Sequence, residues 1–191
     1  HTSKTHLSTT CVAILVGGRA VRIKIMEDDF EFPEALSFLL FEPARYKVLF
    51  GGRSAGKTEN IARALIILCR SRKLRVACFR ELQTSIAESV LETLSNCIND
   101  MGLYAEFDIQ KTTIICLRTG SEFIFSGLRY NINKIKSMAR IDIAWIDEAR
   151  NCSKTTLDKL GPTIRGMMKK DENGELKTVG GPFGKGPELW F

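Results

Sequence analysis

The sequence predicts an α/β fold, a mainly parallel sheet flanked by helices with added antiparallel strands, and three observations point to it. The stretch Gly51-Gly52-Arg53-Ser54-Ala55-Gly56-Lys57-Thr58 fits the phosphate-cradling pattern G-x-x-x-x-G-K-[ST] at every fixed position. It is bracketed in the order strand, loop, helix. Tyr46-Lys47-Val48-Leu49-Phe50 is rich in β-formers, while Ile61, Ala62, Ala64, Leu65, Ile66 and Leu68 fall at helical spacing over 58–72, without proline or internal glycine. A second apolar strand, Ile141-Asp142-Ile143-Ala144-Trp145-Ile146, ends in the acidic pair Asp147-Glu148. Together these are the parts of a P-loop NTPase of the ASCE-like kind.

The residue types explain the chemistry expected of them. Glycines at 51 and 56 let successive backbone N–H groups, including those of Gly52, Ser54 and Ala55, curl around phosphate oxygens with no Cβ in the way. Lys57 reaches the β- and γ-phosphates of ATP. Thr58 opens the following helix, so its hydroxyl can ligate Mg²⁺ while the helix N-terminus adds partial positive charge. Asp147 would hold the Mg²⁺ through water, and Glu148 would polarise the attacking water. The acidic pair fits hydrolytic motors better than nucleotide kinases.

The chain divides into a segment of uncertain origin over residues 1–30, expected to be poorly structured, and a P-loop ATPase domain over 31–191. Cys11 to Gly17 is apolar but too short for a signal peptide. Glu27, Asp28, Asp29, Glu31 and Glu34 make a solvated acidic patch. Pro33 to Leu40 has a helical pattern that Phe41-Glu42-Pro43 terminates. Just ahead of the loop, Arg45 and Tyr46 are candidates to stack on or hydrogen-bond adenine, or else form an ordinary helix-to-strand connection.

After the first helix, Leu74 to Arg80 reads as a second buried strand. Glu81-Leu82-Gln83-Thr84 lies at its carboxyl end, where ligand contacts gather in open α/β sheets, which makes Gln83 a candidate nucleotide contact. Thr84 or Ser85 caps a helix to about Met101, whose stripe of Val90, Leu94, Cys97 and Ile98 is core, and Gly102 stops it. Alternation then predicts strands over 105–109, 112–117 and 122–126 with an antiparallel hairpin. The basic stretch from Gly127 to Arg140 either tracks a phosphate backbone or is a solvated face. Ser153 caps a short helix to Leu160, Pro162 begins another, 171–187 reads as a mobile surface loop, and Glu188 to Phe191 begins a strand.

Composition bounds the rest. With 191 residues, 44% of them hydrophobic and 26% charged, a single globular domain with a sizeable core is expected. The net charge of +6 suits a polyanionic partner such as nucleic acid. No apolar run approaches the roughly 20 residues that cross a bilayer, so no membrane partner is expected. Six cysteines without a C-x-x-C pair or neighbouring histidines argue against zinc and for buried, reduced thiols.

Several blocks together resemble one family. Phe41-Glu42-Pro43, Arg45 to Val48, Gly51 to Thr58, Arg80-Glu81-Leu82-Gln83, Lys134-Ile135-Lys136-Ser137, Ile141 to Ala149 and Pro162 to Arg165 resemble the ATPase domain of the large terminase subunit of tailed bacteriophages, over roughly residues 33 to 191. The resemblance implies a motor that pumps double-stranded DNA into an empty capsid in the host cytoplasm. It works as a homo-oligomeric ring with a portal protein and a small terminase subunit. It implies phosphate and Mg²⁺ binding by Lys57 and Thr58, metal support by Asp147 and a catalytic base in Glu148. Arg53 would be a cis-acting arginine finger, a role that suits charge spread over equatorial phosphate oxygens. Ser54-Ala55 departs from the Gly-Ser usual in this loop. The family's nuclease domain has no counterpart before Phe191, so no nuclease activity is expected and the ATPase domain is expected to be C-terminally truncated. A helicase-like motor and a non-hydrolysing prophage remnant are the alternatives. Duplex-stimulated turnover separates the first, and any turnover lost in Glu148→Gln excludes the second.

Overall fold

The computed structural model describes residues 6–7, 11–16, 20–25, 28–52, 55–81, 87–128, 135, 138, 140, 141–170, 172–173 and 175–191. Its centre is a seven-stranded sheet. In spatial order it runs β5 (Tyr46–Lys47), β13 (Glu188–Trp190), β10 (Ile143–Ile146), β6 (Arg75–Arg80), β9 (Ser121–Gly127), β8 (Thr113–Cys116) and β7 (Phe107–Ile109). The first five are mutually parallel, and β8 and β7 extend the sheet antiparallel, as expected. This is the P-loop ASCE arrangement.

Near-continuous apolar runs fit strands covered on both faces. On β6 and β10 the alternation divides cleanly. Val76, Cys78, Ile143 and Trp145 join a core under helix α2 (Lys57–Ser71) and helix α3 (Glu92–Asp100). Ala77, Phe79, Ala144 and Ile146 join the opposite core under helix α4 (Lys154–Thr163). Helix α2 buries Ile61, Ala62, Ala64 to Leu68 and Cys69, so the helix that follows the phosphate loop is anchored along its length. A single-turn helix α1 (Phe38–Phe41) adds Leu39 and Leu40 to the same core.

Several expectations are corrected. Residues up to 30 were expected to be poorly structured. The structure instead folds β1 (His6–Leu7), β2 (Cys11–Val16), β3 (Ala20–Ile25) and β4 (Asp28–Pro33) into an antiparallel sheet. The signal was period-two alternation at Val21, Ile23 and Ile25 and again at Phe30 and Phe32. Ile23 and Phe32 are buried in the α2 core, and the Phe30 ring lies 5.6 Å from the Arg70 guanidinium.

Pro162 does not open a new helix but sits in the last turn of α4, where only one intrahelical bond is lost. The expected 171–187 loop contains β12 (Leu176–Val179), paired antiparallel with β11 (Met167–Lys170). Here Gly166 is forced small, since a Cβ would lie 2.4 Å from Thr178 Cγ2. The expected strand over 46–50 has ladder pairing at Tyr46 and Lys47, continued by Leu49 N–H donating to the Phe191 carbonyl at 2.8 Å.

Candidate nucleotide site

All strands that carry site residues end on the same side of the sheet, the carboxyl end where α/β proteins bind ligands. The phosphate loop leaves β5 there and enters α2 through Gly56, whose φ of 65° and ψ of 15° lie in the left-handed region that glycine adopts without strain. The N-cap residue Gly56 has no side chain to cap α2, which leaves the first-turn N–H groups available to a ligand in the loop. Lys57 Nζ donates to the carbonyls of Gly51 at 2.8 Å and Gly52 at 2.7 Å, which holds the ammonium over the loop. Arg53 and Ser54 lie outside the described residues.

The second motif meets the first across the sheet. Thr58 Oγ1 donates to Asp147 Oδ1 at 3.2 Å. Asp147 is 7% exposed, and its backbone N–H is held by the Phe79 carbonyl at 2.9 Å. Glu148 follows in the left-handed region at φ 53°, an uncommon conformation for a non-glycine residue that turns the chain sharply out of β10 into the 3₁₀ turn Ala149–Asn151. Its carboxylate accepts from Asn151 Nδ2 at 2.9 Å and lies 3.2 Å from the Arg80 guanidinium. Gly51, Lys57, Thr58, Asp147 and Glu148 line one cavity of about 970 Å³.

Sequence reasoning missed Arg80. At the end of β6, beside β10 in the sheet, its guanidinium donates through Nε to Asp147 Oδ2 at 2.8 Å and also reaches Glu148, so one cation holds both acidic residues. The signal was present in the charged residue that ends an apolar strand, but its partner is set by strand order.

Arg45 and Tyr46 lie elsewhere. The Arg45 guanidinium donates to the carbonyls of Pro187 at 2.8 Å, Gly161 at 2.7 Å and Ile164, a clamp between α4 and β13, and it is not among the residues that line the cavity. Tyr46 is 57% exposed and is not among the residues that line the cavity, though its ring centroid lies 6.4 Å from that of Phe191, which is. Gln83 lies outside the described residues.

The cysteines whose side chains are described, Cys69, Cys78, Cys97, Cys116 and Cys152, are free thiols. Burial pushes Cys69 and Cys78 well above 9.0, and burial, followed by the charge of Glu81, raises Cys152 to about 11. None of these three thiols is poised as a nucleophile. Among the described residues no group of three or more His, Cys, Asp or Glu side chains is placed to hold a metal, and no helix is long and apolar enough to cross a membrane.

A family model described as phage terminase large subunit matches residues 43–186. The chain belongs to the phage terminase large subunit family. No curated protein matches it. Among solved structures, the large terminase of a thermophilic bacteriophage matches with a TM-score of 0.57 and 10% identity, covering 84% of this chain and 38% of that one. Another crystal form of that phage's large terminase, in complex with ADP, matches at TM-score 0.54 and 12% identity, covering 82% and 37%. At these identities the likeness is one of fold. This terminase chain thus spans less than two fifths of the length of those structures. Its matched region takes in the phosphate loop, Arg80 and the Asp147-Glu148 pair.

Proposed function

We propose that this terminase chain is a Mg²⁺-dependent ATPase domain whose turnover drives double-stranded DNA into a procapsid. The observation that carries the reading is the 3.2 Å contact between Thr58 Oγ1 and Asp147 Oδ1, which joins two motifs 89 residues apart at the mouth of one cavity. The thermophilic phage's terminase structure in complex with ADP supports a nucleotide as the ligand of this fold.

The loop N–H groups and Lys57 hold the β- and γ-phosphates. Thr58 and Asp147 offer hard oxygen donors, the set that suits Mg²⁺, which is usually held by one or two protein groups plus phosphate oxygens and water. Bound there, Mg²⁺ neutralises charge on the phosphate oxygens. Glu148 takes the proton of the attacking water. To do so Glu148 Oε2 exchanges its contact with Asn151 for that water while Oε1 keeps Arg80, so Arg80 positions the base. Arg53 supplies a guanidinium to the γ-phosphate in cis. In the working motor, copies of this chain form a ring with portal protein and small terminase subunit in the host cytoplasm.

The test is steady-state ATP hydrolysis with Mg²⁺, with and without duplex DNA, for the unaltered chain, Glu148→Gln and Arg53→Ala. Each substitution is expected to lower turnover by about 10²- to 10⁴-fold while nucleotide binding persists. Hydrolysis unaffected by Glu148→Gln would remove the base assignment, and binding without hydrolysis in every version would leave a nucleotide-binding domain only.

A further inference from the structure

The nucleotide cavity occupies the carboxyl end of the sheet, and a second cavity, of about 390 Å³, lies at the amino end. Its walls come from the start of β6 (Arg75), the start of β9 (Glu122), the residues just before β10 (Arg140 to Asp142) and the glycine turn after β12. Six residues of β6 at about 3.3 Å each put the two cavities on the order of 20 Å apart. Nothing proposed for the nucleotide uses this end.

Its electrostatics are one-sided. Both carboxylates in the wall are committed to structure. Glu122 pairs with Arg75 at 2.8 Å, and Asp142 accepts the Arg75 N–H and the Gly181 N–H, each at 2.9 Å. Three exposed cations, Lys73, Arg140 and Arg165, line the same cavity, and their side chains form no hydrogen bond or ion pair with any described residue. Lys73 leans over Gly120, its Nζ 3.8 Å from where a Cβ there would sit. Arg140 is held at φ 56°, so its direction is set by a left-handed turn that few arginines adopt. The glycine wall cannot be filled, because a Cβ on Gly181 would fall 1.8 Å from the Gly186 carbonyl oxygen.

We propose that this cavity is a phosphodiester-binding site, where Lys73, Arg140 and Arg165 grip the backbone of duplex DNA. Guanidinium forks match the paired oxygens of a phosphate, and three cations with no carboxylate partner among the described residues gain by replacing the counterions of a polyanion. The net charge of +6 favours the same class of ligand. The choice of DNA rests on the packaging-motor reading, but the phosphate chemistry does not. The geometry places the DNA grip and the ATP site at opposite ends of β6 and β10, so the two ligands would not compete.

The test measures binding of a fluorescently labelled duplex against potassium chloride concentration. It compares the unaltered chain with the variant Lys73→Gln/Arg140→Asn/Arg165→Gln, asparagine being chosen for its tolerance of the left-handed turn. A charge-matched control, Lys111→Gln/Lys154→Gln/Lys159→Gln, lies off the cavity, and thermal melting checks the fold of each. The slope of log K against log salt is expected to fall by about 0.9 per lost contact, about 2 to 3 in all, with ATP binding unchanged and the control close to the unaltered chain. Equal losses in the control, an unchanged slope in the cavity variant, or no duplex binding by the unaltered chain would each overturn the site. If the cavity variant binds as well as the unaltered chain while ATP is hydrolysed, only the site falls. If the cavity variant alone loses DNA and no version hydrolyses ATP, the site stands and the motor reading falls.

Discussion

Asp142 and Asp147 flank the same four-residue strand, each preceded by isoleucine, and do opposite things. Asp142 accepts two backbone N–H groups, from Arg75 and Gly181, and so pins the amino end of the sheet to the glycine turn. Asp147 accepts from the side chains of Thr58 and Arg80. Backbone donors cannot leave without unfolding their segment, whereas side-chain donors can rotate away. The same carboxylate is therefore a staple at one end of the strand and an exchangeable ligand at the other.

The sharpest way to break this comparison is Asp147→Ala. It should weaken Mg²⁺ affinity by about 10- to 100-fold and cut hydrolysis with it, as seen by titrating Mg²⁺ in the ATPase assay. The reverse exchange, Asp142→Ala, should leave nucleotide affinity intact while lowering stability, read from the urea midpoint, by roughly 1.5 to 3 kcal/mol for each of the two hydrogen bonds to a charged group that are lost. A catalytic defect without destabilisation in Asp142→Ala would end the distinction.

A smaller effect comes from the thiols beneath both ends. Cys69 and Cys78 have folded pKa values raised above 9.0 by burial, so the folded state keeps their protons while the unfolded chain releases them. Their contribution is intact below pH 9 and is lost as pH rises beyond it, at up to about 1.4 kcal/mol per pH unit for each thiol. Lys47 opposes this. Burial lowers its pKa below 10.5 despite the 2.9 Å pair with Glu188, so its contribution grows with pH up to that value. Melting curves from pH 8 to 10.5 should show a net fall that is reduced in Cys78→Ala. The smallest effect expected is from Ser153→Ala, which removes the 3.1 Å cap on the Thr156 N–H and should cost about 1 kcal/mol without touching either end of the sheet.

What was legible in the sequence was local and contiguous. The phosphate loop must be one unbroken segment, since its N–H groups act together, and helix α2 declared itself by periodicity at Ile61 to Leu68 and strand β10 by its continuous apolar run at Ile143 to Ile146. Ser153 announced its helix because a cap acts within one turn. The antiparallel extension was visible in the alternation of 105–126. The same rule holds upstream at Val21 to Phe32, where acidic residues interrupt the alternation between Ile25 and Phe30. For Arg45, proximity to the loop left a nucleotide contact and an ordinary helix-to-strand connection both open, because the carbonyls it binds, at Gly161, Ile164 and Pro187, lie more than 100 residues away in the chain.

By itself, then, the sequence determined which segment can cradle phosphate, which strand delivers Asp147 and Glu148, and that the sheet is buried on both faces. Only the tertiary structure decided that Arg80 would hold both acids, that Asp142 would be saturated by backbone, and that Lys73, Arg140 and Arg165 would share one cavity. Strand order and register choose which side chains face each other, and residues 67 positions apart, as Arg80 and Asp147 are, meet only once the sheet has formed.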